Sequence, residues 1–327
     1  MADRFRANAG GKGCGGQAVE RCGGVRVSER TILVTGANGQ VGYELARTMQ
    51  GLGRVVPMGR SALDLANLDG VRTTVRDVKP AMVINAAAYT AVDQAERDKD
   101  AAFRLNAAAP AALAEECAKL NALFVHYSTD YVFDGEKQGP YEESDAPNPL
   151  NVYGASKLAG EQAIVAVGGA HLIFRTSWVY GIRGKNFVQT MLRLGAERDE
   201  LRVVADQIGA PTWSNTIAAS TAHILASGVN ASETDYWHDR SGIYHLTASG
   251  RASWFDLARA IFDIAQVARA PRIIPIEAKE YPTPARRPQN SQLSNEALLR
   301  RFGIRQPHWR AALELCLADR EVQAGRG

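Results

Sequence analysis

The sequence predicts an α/β fold, a Rossmann-type doubly wound parallel sheet with a smaller mixed α/β substrate lobe, on three observations. A short β-rich run, Thr31 to Val34, stops at the turn T-G-A-N-G-Q-V-G and passes into a helical stretch from Tyr43 to Gln50. Strand-like and helix-like segments then alternate as far as H-L-I-F-R-T-S-W at 171–178, the pattern of parallel strands joined by helical crossovers. Beyond Asp199 the alternation loosens into mixed segments, which sets the smaller lobe apart. The expected division is a disordered tail over 1–29, a dinucleotide-binding domain over 30–180, and a mainly substrate-binding lobe over 181–327 with some segments returning to the first domain.

Taken in order, residues 1–29 are rich in Gly, Arg and Ala and carry no hydrophobic period, hence the expected tail. The first folded feature is strand, glycine turn, helix. Gly36, Gly39 and Gly42 have the spacing G-x-x-G-x-x-G, in which small residues let the backbone approach a pyrophosphate held at the helix N-terminus. A second strand, Arg54 to Met58, ends at Gly59-Arg60. An acid at that point would bond the adenosine 2′-hydroxyl and favour NAD; an Arg without one suits a 2′-phosphate, so NADPH is favoured, with NADH left open. Asp64-Leu65 opens a helix with Leu68, Val71 and Val75 on its apolar face, and Asp64 either caps it or approaches the adenine; both join the cofactor candidates. The strand A-M-V-I-N runs into Ala86, Ala87 and Ala88, small enough for a cofactor to pass close above the sheet, or alternatively for tight helix packing.

An Ala-rich helix from about Asp100 to Leu120 leads to L-F-V-H-Y-S-T-D, whose Ser128, Thr129 and Asp130 fall at the strand's C-terminal end. A Pro-, Gly- and acid-rich loop then reaches a helix that begins N-V-Y-G-A-S-K-L-A-G-E and carries Tyr153 and Lys157. At spacing i, i+4 both side chains project from one helix face and reach one bound molecule. A phenol titrates at about 10 in water, and a neighbouring ammonium favours its phenolate, so the pair is a candidate for proton transfer at neutral pH. In the second half the expected elements are helices near 187–197, 214–226 and 253–266 and the β runs V-V-A-D-Q-I-G-A-P-T, I-Y-H-L-T and R-I-I-P-I, those beyond Asp199 assigned to the smaller lobe, with an extended loop from Tyr281 to Leu293.

Composition narrows the function classes. The 327 residues carry a net charge of +3 from intermixed acids and bases, which does not indicate a nucleic-acid surface. No apolar run is long enough to span a bilayer and the N-terminus lacks the apolar stretch of an export signal, so a cytoplasmic protein is expected. The four cysteines show neither metal-ligand spacing nor a disulfide framework.

The glycine turn, the S-T-D strand end and the Tyr/Lys helix together resemble an extended short-chain dehydrogenase/reductase. Within that superfamily the chain, from about Thr31 to the C-terminal helix, is similar to the dTDP-4-dehydrorhamnose reductase family. The similarity is carried by G-A-N-G-Q-V-G, N-A-A-A-Y-T-A-V-D-Q-A-E, H-Y-S-T-D-Y-V-F-D-G, P-L-N-V-Y-G-A-S-K-L-A-G-E, F-R-T-S-W-V-Y-G and R-P-Q-N-S-Q-L. It implies hydride reduction of the C4 ketone of a dTDP-linked keto sugar, with Tyr153 as proton donor, Thr129 as hydrogen-bond donor to the same oxygen, and Lys157 on the nicotinamide ribose. It further implies that Gly39, Gln40 and Val41 contact the cofactor phosphates, that Ala86 to Ala88 and Tyr127 line its path, and that Asp130 and Trp178 contact the sugar nucleotide. Arg287 is a candidate for the substrate pyrophosphate, since an Arg fork suits phosphate, or a loop anchor.

Some family members dimerise through an acid-bound magnesium ion. Glu44 fits one such position, but Asn215 stands where another carboxylate is expected, which argues against Mg2+ and leaves a homodimer open. A dehydratase of the same superfamily needs an acid/base pair after the Thr, and here Tyr131 follows Asp130. Reduction or epimerisation of another nucleotide-linked keto sugar, or a non-catalytic dinucleotide-binding regulatory subunit, are the competing readings.

Overall fold

The apolar runs of the first half become strands because both of their faces are covered. The computed structural model describes residues 30–228, 233–267 and 270–324; the tail expected over 1–29 lies outside the described residues. In chain order the first half contains β1 (Thr31–Thr35), α1 (Gln40–Thr48), β2 (Arg54–Met58), α2 (Leu68–Val78), β3 (Met82–Asn85), α3 (Val92–Ala95), α4 (Lys99–Phe103), a π-turn (Arg104–Ala108), α5 (Ala109–Lys119), β4 (Leu123–Thr129), α6 (Val152–Val167) and β5 (His171–Thr176). The second half contains β6 (Val179–Tyr180), α7 (Phe187–Glu197), β7 (Glu200–Val204), β8 (Ile208–Gly209), β9 (Thr212–Trp213), α8 (Ser214–Ser227), α9 (Glu233–Arg240), β10 (Gly242–His245), β11 (Ala252–Ser253), α10 (Trp254–Ala265), β12 (Arg272–Ile276), α11 (Glu296–Phe302) and α12 (Trp309–Ala324).

Six strands pair in the order β2-β1-β3-β4-β5-β10, every pair parallel. The chain steps outward from β1 to β2 and then returns to β3 on the other side of β1, so the strand order reverses there and leaves a crevice at the C-terminal edge. Side chains alternate strictly between the faces. Ile32, Val34, Ile84, Val125 and Phe174 pack against Leu45 of α1 and Ile217, Ile224 and Leu225 of α8. Leu33, Val83, Phe124 and Ile173 meet Val71 and Val75 of α2, Leu113 of α5 and Ile164 of α6. Burial on both sides explains why these strands read as continuous apolar runs.

Four local expectations are corrected. Helix α2 starts at Leu68, not at Asp64: the Asn67 side chain accepts the Gly70 N–H at 3.1 Å and caps it, while Asp64 accepts from Ala66 N in the preceding turn. The Ala-rich helix is interrupted by the π-turn, where Asn106 points its amide away to Tyr89 N (2.8 Å), Tyr89 O (3.0 Å) and Ser156 Oγ (2.9 Å). The run I-Y-H-L-T supplies β10, the outer strand of the main sheet, because its backbone continues the ladder beyond β5. Helix α8 likewise belongs to the main sheet, packed on α1 through its apolar face. What remains of the smaller lobe includes β7 paired in parallel with β12, the short pairs β6–β9 and β8–β11, and the helices α7, α10 and α12, with Met191, Leu201, Val203, Leu257, Ile261 and Leu313 in its core. The 281–293 stretch is non-helical and is pinned by isolated bridges from Ile208 to Asn290 and from Tyr141 to Leu293.

Leu33 sits at the centre of β1, fully buried between two helices' worth of side chains. Leu33→Ala should lower unfolding stability by about 2–5 kcal/mol, read from the urea midpoint; a loss below about 1 kcal/mol would contradict this packing.

Candidate active site

The crevice at the strand-order reversal is a cavity of about 590 Å³. Its floor is the glycine turn. Gly36 has φ +68, and a Cβ there would meet Ala87 N at 2.7 Å, so only glycine allows the turn after β1 to lie against the end of β3. Gly42 is buried behind the turn, where a Cβ would run into the Gly36 carbonyl. Gly39 then leads into α1, whose first residues Gln40 and Val41 line the cavity with the helix N-terminus. Arg60, Asp64 and Leu65 form one end of the cavity, past β2; Ala86, Ala87 and Ala88 follow β3 along its wall; Tyr127, Tyr153 and Lys157 close the other side. Every cofactor candidate except Gly42 therefore faces one cavity.

Helix α6 is set by its cap and by one close contact. Asn151 accepts the Gly154 N–H at 2.8 Å and donates to Arg286 O at 2.8 Å. A Cβ at Gly160 would overlap the Asn106 carbonyl, so glycine is what lets α6 lie against the π-turn. Tyr153 and Lys157 both reach the cavity wall, as their spacing predicts. Their electrostatics differ from the expectation. Burial pushes the Tyr153 phenol up to about 12, with the Thr129 hydroxyl lowering it and the Asp130 carboxylate raising it. The Lys157 ammonium does not draw it down; Nζ is turned to the Tyr127 carbonyl at 2.5 Å and to His126 Nε2 at 3.1 Å. Burial lowers Lys157 to about 8.

The substrate candidates lie past Tyr153. Thr129 Oγ1 donates to Asp130 Oδ1 at 2.9 Å, and burial raises the Asp130 carboxyl to about 6. Tyr131 packs edge-on against Tyr153 with ring centroids 5.7 Å apart. Trp178 has φ +47 and stacks on Trp254 at 3.5 Å, over Gly209, where a Cβ would strike its ring. Arg287 is spent on a fork to Asp93, Nη2 to Oδ2 at 2.8 Å and Nη1 to Oδ1 at 3.1 Å, which ties the 281–293 loop to α3. Thr129, Asp130, Trp178 and Arg287 do not line the main cavity. The Asn215 amide donates to Glu44 Oε2 at 3.1 Å, and among the described residues no group of three or more His, Cys, Asp or Glu could hold a metal ion.

Sequence reasoning missed Thr176 and Lys185 on the cavity wall and His126 beneath it. Lys185 arrives on a loop fastened to α1 by the Asn186 amide donating to Gln40 Oε1 at 2.9 Å, a contact with no local signal. Ser128 Oγ and Thr176 Oγ1 are buried in this wall without a hydrogen-bond partner. Unsatisfied hydroxyls, a glycine cradle at a helix N-terminus and an Arg past β2 are the groups a phosphorylated dinucleotide needs.

Comparison with known proteins agrees with that geometry. The RmlD substrate binding domain family matches residues 30–322. A dTDP-4-dehydrorhamnose reductase of Burkholderia thailandensis is 53% identical over 295 residues, covering 88% of this chain and 98% of its own. Its counterpart in Escherichia coli K12 is 43% identical over 296 residues, covering 88% and 97%. The crystal structure of dTDP-4-dehydrorhamnose reductase from Bacillus anthracis in complex with NADP superposes with a TM-score of 0.81 at 36% identity, covering 89% of this chain and 99% of that one.

Asp130 yields a pH prediction. Its carboxyl titrates higher folded than unfolded, so the penalty of burying the charge is absent below the ordinary carboxylate range and complete above about pH 6. Asp130→Asn should therefore stabilise the protein at about pH 8 by on the order of 2–3 kcal/mol, and the gain should vanish below about pH 4. An equal gain at both pH values, by thermal or urea unfolding, would contradict the burial.

Proposed function

The chain belongs to the RmlD substrate binding domain family, and from that premise we infer that it catalyses NADPH-dependent reduction of the C4 ketone of dTDP-4-dehydro-6-deoxy-L-mannose to give dTDP-L-rhamnose. The observation that carries this reading is that the Tyr153 phenol stands on the wall of the dinucleotide cavity, beside the Thr129 hydroxyl. When bound, the nicotinamide supplies the hydride. The chain's own residues do the rest. The N-terminus of α1 and the Gly36–Gly39 turn hold the pyrophosphate, Arg60 takes the 2′-phosphate, and the alanines after β3 leave room above the sheet.

As negative charge grows on the ketone oxygen, Tyr153 gives it a proton and Thr129 gives it a hydrogen bond. A phenol held at about 12 is protonated at neutral pH, the form a donor requires. Lys157 holds the nicotinamide ribose. Asp130 and Trp178 meet the sugar nucleotide, and Arg287, through its link to Asp93, positions the loop beside Tyr131. This reading sets the reaction in the cytoplasm, compatible with Cys117 and Cys316 as free thiols. Among the described residues no helix is long and apolar enough to cross a membrane.

The test supplies the purified protein with NADPH or NADH and a keto sugar made in situ by its epimerase. NADPH oxidation that depends on the epimerase is expected; cofactor binding without oxidation would overturn the reading. Tyr153→Phe should cut turnover by about 10²–10⁴-fold with NADPH affinity retained, and undiminished turnover would remove Tyr153 from its role. Arg60→Ala should reduce the preference for NADPH over NADH by about tenfold, since a charge-assisted phosphate contact is lost; an unchanged preference would place the 2′-phosphate elsewhere.

A further inference from the structure

Lys157 is buried without a carboxylate of its own. The nearest acid on its helix, Glu161, is already closed in a fork with Arg175, Oε1 at 2.9 Å from Nε and Oε2 at 2.6 Å from Nη2, and both side chains of that pair are 2% exposed. What Nζ touches is the Tyr127 carbonyl and His126 Nε2. The carbonyl accepts a hydrogen bond from either an amine or an ammonium. The imidazole decides between them.

The protons around His126 can be counted from a fixed point. The Ala87 backbone N–H can only donate, and it meets Asn85 Oδ1 at 3.3 Å; the buried Thr35 hydroxyl donates to the same oxygen at 2.6 Å. Those two donors fix the amide with Oδ1 towards them, which turns the Asn85 NH2 towards His126 Nδ1, 3.0 Å away. Nδ1 must then accept. Full burial disfavours the His126 cation, as does a charged Lys157 beside it, so the ring is neutral and, with Nδ1 accepting, its single proton sits on Nε2. That N–H points at Lys157 Nζ, which can receive it only with a free lone pair.

We propose that the Thr35–Asn85–His126 chain disfavours the Lys157 ammonium, so that above its midpoint Lys157 is a free amine that takes up a proton when the dinucleotide binds. His126 and Asn85 are positioning residues: they touch neither cofactor nor sugar and act through Lys157. The proton comes from solvent, passes from a buffer acid to the Nζ lone pair, and displaces the hydrogen bond from His126 Nε2. Anionic phosphates in the cavity supply the charge that favours the ammonium. The groups that bear on Lys157 are His126 and the Tyr127 carbonyl from β4, Tyr153 and Glu161 from α6, Arg175 from β5 paired to Glu161, and Arg60, Asp64 and Lys185 on the cavity walls. Of these, His126 alone hydrogen-bonds the nitrogen through a side chain.

Asn85→Asp reverses this arrangement, and its negative charge favours the Lys157 ammonium in the same direction. The carboxylate keeps Thr35 and Ala87 as donors but can only accept from His126, so Nδ1 takes the ring proton, Nε2 presents its lone pair, and Lys157 is protonated from the start. In lysine labelled with carbon-13, with the Lys157 signal identified by its loss in Lys157→Arg, the ε-carbon should titrate at least about one pH unit lower in the wild-type protein than in Asn85→Asp. Equal midpoints overturn the proposal.

A second arm rests on the dinucleotide reading. NADPH is titrated calorimetrically, above the wild-type midpoint, in two buffers of different ionisation enthalpy. The wild-type protein should take up about one proton per NADPH and Asn85→Asp close to none. Binding without uptake in the wild type overturns the proposal. Failure of NADPH to bind counts against the dinucleotide reading and against the proposed uptake, while the carbon-13 titration still decides the resting state of Lys157.

Discussion

The site depends on one close approach: the turn after β1 lies directly against the residues that follow β3, at a distance where no side chain fits on Gly36. A left-handed glycine is required there both by φ and by space. That contact aims the N-terminus of α1 into the crevice and brings the alanine stretch 86–88 level with it on the cavity wall. The sheet supplies the rigidity, since every strand under the turn is covered on both faces.

On the opposite wall, α6 is held by a second close approach, Gly160 on the π-turn, and by the Asn151 cap. These contacts deliver Tyr153 and Lys157 as a rigid pair. Burial disfavours the charged form of each, so the phenol stays protonated and the lysine is lowered to about 8. A protonated phenol is the form the proposed proton donation requires. The smaller lobe adds Trp178 and the 281–293 loop above this pair, with Arg287 anchored to Asp93, not facing the dinucleotide cavity.

Much of this was legible because it is local. The glycine spacing, the strand end at Ser128 to Asp130, the i, i+4 pair and the Arg60 position each follow from a few neighbouring residues, and strands such as Arg54–Met58 and Arg272–Ile276 have the bounds their apolar runs suggested. What failed was non-local. Nothing in I-Y-H-L-T says that it pairs with β5, some seventy residues earlier, because sheet partners are chosen by tertiary fit. The start of α2 was misplaced because Asp64 and Asn67 are both competent caps and only the fold selects between them. The state of Lys157 depends on His126, thirty-one residues away in sequence, and on an amide orientation set by Ala87. Charge states in a buried site belong to the assembled network.

The most direct measurement follows the hydride itself. With NADPH deuterated at the transferable position of nicotinamide C4, the account predicts a dTDP-rhamnose product carrying deuterium at sugar C4 and nowhere else, read by NMR. Deuterium at another sugar carbon, or a product formed without label, would contradict reduction of the C4 ketone in this cleft.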